Sequence, residues 1–290
     1  MISGILNILK PPGMTSHDVI WKTRKIVGTK KVGHAGTLDP DAAGVLPVFV
    51  GNATRLVEYA TNADKCYRVQ IALGIKTDTG DDSGKVIEKQ VIPSISLEQI
   101  QNTLKSFTGE IEQIPPMYSA IKHEGKKLYQ LAREGKIVER EPRKIFINEI
   151  KLLHADSKSM LLQVDCSKGT YIRTLVEDFA EKLGTLATVK FLLRIRSGIF
   201  NINQSCLLED LALKYENFIL PFDMAIEHIP KIVLTQNQAV RFCQGVKTTF
   251  TYEIAGTVRL YSQTGYFLGI GSLEDQTLKP KKVFNDGMVY

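Results

Sequence analysis

The chain has 290 residues, 43% of them hydrophobic and 23% charged, with a formal net charge of +6. This is an ordinary globular composition, which excludes collagenous, low-complexity and disordered classes. No window reaches the ~20 apolar residues of a membrane span, the N-terminus shows no signal-peptide pattern, and Cys66, Cys166, Cys206 and Cys243 lie far apart with no Cys-x-x-Cys pair, so a cytoplasmic protein with no disulfide framework and no membrane partner is expected.

Residues 2–9 form an apolar run ended by Lys10-Pro11-Pro12-Gly13, which reads as a strand and a turn. Thr15-Ser16 offers an N-cap, and Val19, Ile20, Thr23, Ile26 and Val27 recur at helical spacing, so residues 16–27 form an amphipathic helix stopped at Gly28. Lys22, Arg24, Lys25, Lys30 and Lys31 make the end of that helix and the next loop basic. An anionic partner fits such a surface, nucleic acid first, although a solvated face would look the same.

The stretch 31–47 is the chemical candidate. It holds Asp39 between Leu38 and Pro40, with Gly33, Gly36 and Gly44 around it and His34 five residues upstream. Pro40 fixes its own φ and pushes Asp39 out of the α region. Asp before Pro is also a common helix start, so the same dipeptide fits an N-cap. Further on, 45–50 reads as a buried strand, 53–60 as a short helix, and 65–73 as an alternating strand with Tyr67, Val69 and Ile71 on one face. The polar loop 74–84 contains Asp78, Asp81 and Asp82 but lacks EF-hand spacing. The five histidines show no metal-ligand spacing either, so no metal site is expected.

Ser96 starts a helix with Leu97, Ile100 and Leu104 as its core stripe, and Pro115-Pro116 breaks the pattern. A basic segment at about 123–144 is helical in its middle. Strands at 145–153 and 160–166, a turn at 167–170, a helix at 171–183, a strand at 189–199 and a helix at 205–213 follow. Beyond Pro230 come a short helix at 236–242 and β-like pieces at 256–261, 266–270 and 283–284. The irregular alternation points to α+β with a mixed or antiparallel sheet. The expected units are 1–228 and a small β-rich domain at 229–290.

Five segments, collinear from residue 7 to about 200, carry a resemblance. They are Asn7–Ser16, the Asp39 loop, Lys65-Cys66-Tyr67, Gln113–Lys122 and Cys166–Leu175. Together they resemble the TruB family of tRNA pseudouridine synthases. The resemblance implies the pseudouridine synthase fold, a large mainly antiparallel sheet flanked by helices, with a PUA-like C-terminal domain. It implies isomerisation of the uridine at tRNA position 55 without a cofactor. The segment 123–144 would be an insertion clasping the RNA, and a monomer acting on the T-stem-loop with no obligatory protein partner is expected.

By the same resemblance Asp39 is the catalytic carboxylate and Arg173 its partner. A guanidinium can pair bidentately and keep its own charge, opposing the effect of burial on the carboxylate. Tyr67 stacks on the flipped base, a contact worth about 1–3 kcal/mol, and Tyr171 lines the pocket. His34 enters the T-loop in place of that base. Asp78 is a polar pocket residue and Leu192 an apolar wall. Lys10 either touches phosphate or orders the Asp39 loop. The alternatives are a non-catalytic RNA-binding or RNA-folding protein, and a guide-RNA-dependent synthase of the dyskerin type.

Overall fold

The computed structural model describes residues 2–249 and 254–284. The chain begins with β1 (Gly4–Lys10) and α1 (Ser16–Val27), then β2 (Val32–His34) and β3 (Ala43–Val50). The expected helix at 53–60 is a 3₁₀ stretch, Gly51–Leu56, followed by the single turn α2 (Val57–Ala60). Next come β4 (Lys65–Leu73), the hairpin β5 (Ile75–Thr77) and β6 (Val86–Lys89), α3 (Leu97–Ser106) and β7 (Gly109–Gln113). The basic insertion holds the two-residue strands β8 (Lys122–His123) and β9 (Lys126–Lys127) and one short helix, α4 (Leu128–Arg133). Then follow β10 (Arg143–Ala155), β11 (Ser159–Cys166), α5 (Ile172–Lys182), β12 (Ala187–Ser197), β13 (Phe200–Asn201) and α6 (Leu208–Lys214).

Local chemistry explains the best-read element. Thr15 and Asp18 close a capping box: the Asp18 amide donates to Thr15 Oγ1 at 3.0 Å, and the Thr15 amide donates to Asp18 Oδ2 at 2.9 Å. Val19, Ile20, Thr23 and Val27 are buried on one side of α1. In α3 the buried stripe is Ile100 and Leu104; Leu97, expected inside, is 58% exposed.

The strands form one nine-stranded sheet of order β1-β3-β12-β4-β11-β10-β7, with β2 on β3 and β13 on β12. Every pair is antiparallel except β12 with β3, which run parallel for two residue pairs, Leu193 with Ala43 and Arg194 with Gly44. That short seam joins the two halves of the sheet. All eight residues of β3 are buried, so the strand reads as a continuous apolar run without alternation. One core packs α3 and α5 against β4 and β10–β12; another packs α1 and α6 against β1 and β3.

The C-terminal residues form a second sheet from β14 (Lys231–Leu234), β15 (Thr248–Thr249), β16 (Gly256–Ser262), β17 (Phe267–Glu274) and β18 (Thr277–Val283), with α7 (Gln236–Cys243) against it. Its Ile270 and neighbouring Phe284 join a core with Phe49 and Ala225 of the larger unit, so the two sheets share packing. Residues 250–253 and 285–290 of the expected 229–290 unit lie outside the described residues. All four cysteines are buried and none is in a disulfide among the described residues.

Gly44 sits on the seam at φ +121°, and a Cβ there would lie 2.2 Å from the Arg194 carbonyl oxygen. Gly44→Ala should destabilise the protein by more than about 3 kcal/mol, because neither strand can retreat. Gly13→Ala, at φ +76° in open space, should cost about 1 kcal/mol. Thermal unfolding followed by circular dichroism checks the contrast; equal losses would show that backbone strain alone sets the cost.

Candidate active site

The loop 35–42 leaves β2 and returns through the seam into β3. No helix follows Asp39; the Ala42 amide donates to the Asp39 carbonyl at 3.2 Å and closes a turn instead. The loop's carbonyls are held from three sides. Arg194, 1% exposed, donates from Nη2 to Gly36 (3.1 Å), from Nη1 to Thr37 (3.5 Å) and from Nε to Val45 (2.7 Å). Ser16, the first residue of α1, both accepts from the Leu38 amide at 2.9 Å and donates to the Leu38 carbonyl at 3.1 Å. Lys10, fully buried, donates to the Pro11 and Pro40 carbonyls at 2.8 Å each. Of the two roles foreseen for Lys10, only holding the loop has geometry behind it, since its ammonium does not reach solvent.

Arg173, 6% exposed, projects from the first turn of α5. Its Nη2 lies 3.1 Å from Asp39 Oδ2. The contact involves one carboxylate oxygen, not the bidentate pairing that a guanidinium permits. The other donors are committed elsewhere: Nη1 to the Thr79 carbonyl at 2.9 Å, Nη2 also to the Tyr118 carbonyl at 2.8 Å, and Nε toward Asp81 Oδ2 at 3.7 Å. One side chain thus ties together the Asp39 loop, the 78–84 loop and the segment after Pro116.

These groups form the floor of a cleft of about 1040 Å³, whose walls include His34, Tyr118, Leu192, Lys127 and Arg133. Of the expected site residues, Asp39, His34, Arg173 and Leu192 face it. Tyr67 and Tyr171 are half-buried and are not part of its lining. Both lie within the electrostatic reach of Asp39. Asp78 is exposed and its Oδ1 accepts from the Lys85 amide at 2.8 Å, so it caps its own loop, and the acids of that loop at the cleft are Asp81 and Asp82, of which Asp81 approaches Arg173. The sequence reading missed Asp81, Tyr118, Ser16 and the anchoring role of Arg194. The buried pairing of β12 with β3 would have pointed to Arg194, but a two-residue parallel seam leaves no periodicity.

The electrostatics are opposed rather than neutralised. Asp39 keeps 42% of its side-chain surface open to the cleft, yet the protein crowded around it raises its pKa above the ordinary 3.8. Arg173 and then Lys10 oppose that rise, while Asp81 adds to it. Burial draws Lys10 down from 10.5 to about 8 and Lys65 likewise to about 8. Burial, then the charge of Arg194, lowers the pKa of His34 and keeps the ring neutral at pH 7. A carboxylate held open to a cleft beside one fixed cation is suited to nucleophilic attack.

Comparison with known proteins gives a consistent picture. Residues 24–172 match the TruB family pseudouridylate synthase N-terminal domain, 173–227 the tRNA pseudouridylate synthase B C-terminal domain, and 230–284 the pseudouridine synthase II TruB C-terminal domain. The chain is 46% identical over 285 residues to tRNA pseudouridine synthase B of Caldanaerobacter subterraneus subsp. tengcongensis, covering 98% of this chain and 99% of the relative. It is 41% identical to the protein of that name from Moorella thermoacetica, again over 98% and 99%. Among solved structures, an H/ACA RNP bound to a substrate RNA containing 2'-deoxyuridine superposes with a TM-score of 0.74 at 26% identity. A Cbf5-Nop10-Gar1 complex gives 0.76 at 28%. In each, 97% of this chain and 84% of the other are covered.

The displaced lysine titration has a measurable sign. Between pH 8 and 10.5 the unfolded chain holds a proton at Lys10 that the folded chain has lost, so this group makes stability rise with pH in that window. Buried cysteines and tyrosines with raised pKa values pull the other way above pH ~9. The signal is therefore a difference: from pH 7.5 to 9.5 the wild type should gain stability relative to Lys10→Met. Urea midpoints at both pH values check this, and a constant difference would show that the ammonium is not desolvated.

Proposed function

Because the chain belongs to the TruB family of pseudouridylate synthases, we propose that it converts the T-loop uridine at position 55 of tRNA to pseudouridine, with Asp39 as the nucleophile. The observation that carries the reading is the Asp39–Arg173 pair at the floor of a cleft large enough for an extruded nucleotide. The reaction releases uracil from C1′ at N1, turns it, and rejoins it through C5. C5 gives up a hydrogen and N1 acquires one, so composition is unchanged and no oxidant or reductant is consumed.

The geometry supports a role for each residue. Asp39 Oδ2 rests on Arg173, while Oδ1 has no protein hydrogen bond among the described residues. The free oxygen supplies the electron pair, and Arg173 stabilises the carboxylate when it is re-formed. Leu192 gives the extruded base an apolar wall; Tyr67, which pairs with Arg194 across β4 and β12 and lies outside the cleft lining, becomes the aromatic platform only once the base has entered beyond that lining. His34, a neutral ring on the cleft rim, occupies the gap left in the T-loop. Recognition then rests on hairpin shape and phosphates more than on base edges.

The direct test is incubation of the protein with an unmodified tRNA transcript, without guide RNA, and position-resolved pseudouridine mapping. Pseudouridine at the single T-loop position is expected from the wild type and none from Asp39→Asn, with RNA affinity retained. Conversion by Asp39→Asn would remove the nucleophile assignment. Failure of the wild type on bare tRNA would favour a guide-dependent or purely RNA-binding protein.

Arg173 is testable separately. Without its charge, burial and Asp81 raise the pKa of Asp39 further, so the ionised form is lost at higher pH. Arg173→Gln should lower single-turnover conversion by about 10²–10³-fold and move the acid limb of the pH–rate profile to higher pH. An unmoved limb would show that Arg173 only holds the loops together.

A further inference from the structure

Two concavities meet at His34. One is the cleft above Asp39. The other is a groove of about 470 Å³ between the end of α1 and the loop into β2, lined by Arg24, Lys30, Lys31, Val32 and Thr54. None of Arg24, Lys30 and Lys31 forms an ion pair among the described residues. The nearby acids are engaged elsewhere, Asp18 by Thr15 and Glu58 by Lys282. Arg24 donates from Nη2 to the Val32 carbonyl at 3.2 Å, which fixes the guanidinium, while its buried Nε has no hydrogen-bond partner. The buried Nδ1 of His34, on the shared rim, has none either. Buried polar groups left unpaired are uncommon and point to a missing partner.

We propose that this groove is a phosphate-binding site for RNA, which receives the sugar–phosphate backbone of the strand flanking the nucleotide at Asp39. The site rests on the reading above, in that the same RNA fills the cleft. Its chemistry selects backbone over base: the lining carries three cations, small and aliphatic side chains and two histidines, but no Phe, Tyr or Trp on which a base would stack. Its position selects the strand, because His34 borders both cavities and any chain leaving the Asp39 cleft on that side enters the groove. Fixed cations without carboxylate partners release counterions when phosphates bind, so the site contributes affinity that falls with salt.

The test uses Lys30→Gln/Lys31→Gln, both exposed residues whose loss leaves the core intact, on a T-stem-loop hairpin RNA. KM should rise about tenfold with kcat unchanged, and the slope of log Kd against log salt should fall by about one to two. Ethylation of phosphates beside the target nucleotide should weaken wild-type binding and have little effect on the double variant. Lys105→Gln/Lys158→Gln removes equal charge at the α3 and β10–β11 end of the sheet, away from both concavities, and should keep the wild-type slope. A Lys30/Lys31 variant with the slope, KM and ethylation pattern of the wild type overturns the proposal. If the wild type binds the hairpin but forms no pseudouridine, the catalytic reading fails; a slope still lowered by the double variant then keeps the phosphate site.

Discussion

A single buried guanidinium sets the geometry of the site. Arg194 spends its donors on three backbone carbonyls, those of Gly36, Thr37 and Val45, at either end of the loop that carries Asp39. It forms no ion pair among the described residues, so its buried charge is balanced by carbonyl dipoles rather than by a carboxylate. Such a charge is costly to bury unless its hydrogen bonds are made. The loop therefore cannot move away without stranding the cation, and the cation cannot leave without stranding the carbonyls. Gly44 belongs to the same constraint, because only a residue without Cβ lets the seam strand lie against the Arg194 backbone. Ser16 and Lys10 then fix Leu38 and Pro40, the two residues flanking Asp39. A carboxylate whose neighbours are pinned on both sides needs little reorganisation before it reacts.

Rigidity alone would not keep the Asp39 carboxylate ionised and open to the cleft. Burial without a cation would protonate it, and a fully engaged bidentate pair would occupy both of its oxygens. Arg173 avoids both outcomes because its other donors are committed to Thr79 and Tyr118. One carboxylate oxygen is stabilised and the other is left to the cleft. The raised pKa of Asp39 is the result of that incomplete compensation, with Asp81 adding a second negative charge to the same guanidinium. A more basic carboxylate is also a better nucleophile, provided it stays ionised, and the cation governs that proviso.

Much of this was legible in the sequence, and the failures have physical causes. The capped, periodic helix α1, the alternating strand β4 and the Asp39 loop were readable because each is specified by local chemistry. Arg173 and Leu192 were found through motif resemblance, and both face the cleft. Asp78 was misplaced because three acids in one loop look alike in sequence. Only the fold shows that Asp78 caps the Lys85 amide while Asp81 turns to Arg173. Arg194 was not singled out because its role depends on the parallel pairing of its strand with the distant residues Ala43 and Gly44, which no local pattern signals. Leu97 sits at a helical core position but is exposed, since it is the first residue of α3 and the buried stripe begins one turn later at Ile100. The C-terminal strands ran longer than expected because their lengths follow cross-strand pairing, which local propensity does not encode.

The net charge of +6 divides into two populations with different work. Lys10, Lys65, Arg173 and Arg194 are buried and hold backbone carbonyls or the Asp39 carboxylate; none can reach a phosphate without unmaking the site. Lys127 and Arg133 on the insertion line the cleft, Arg24, Lys30 and Lys31 line the groove beyond His34, and none of the five forms an ion pair among the described residues. Tyr129, with Lys127 at 5.6 Å and Arg133 at 5.5 Å from its ring, gives the cleft an aromatic surface, whereas the groove lining has none and the exposed Trp21 of α1 lies outside it, with Lys25 3.6 Å from its ring. The two concavities therefore offer different chemistry, aromatic and cationic in the cleft, cationic without an aromatic lining in the groove.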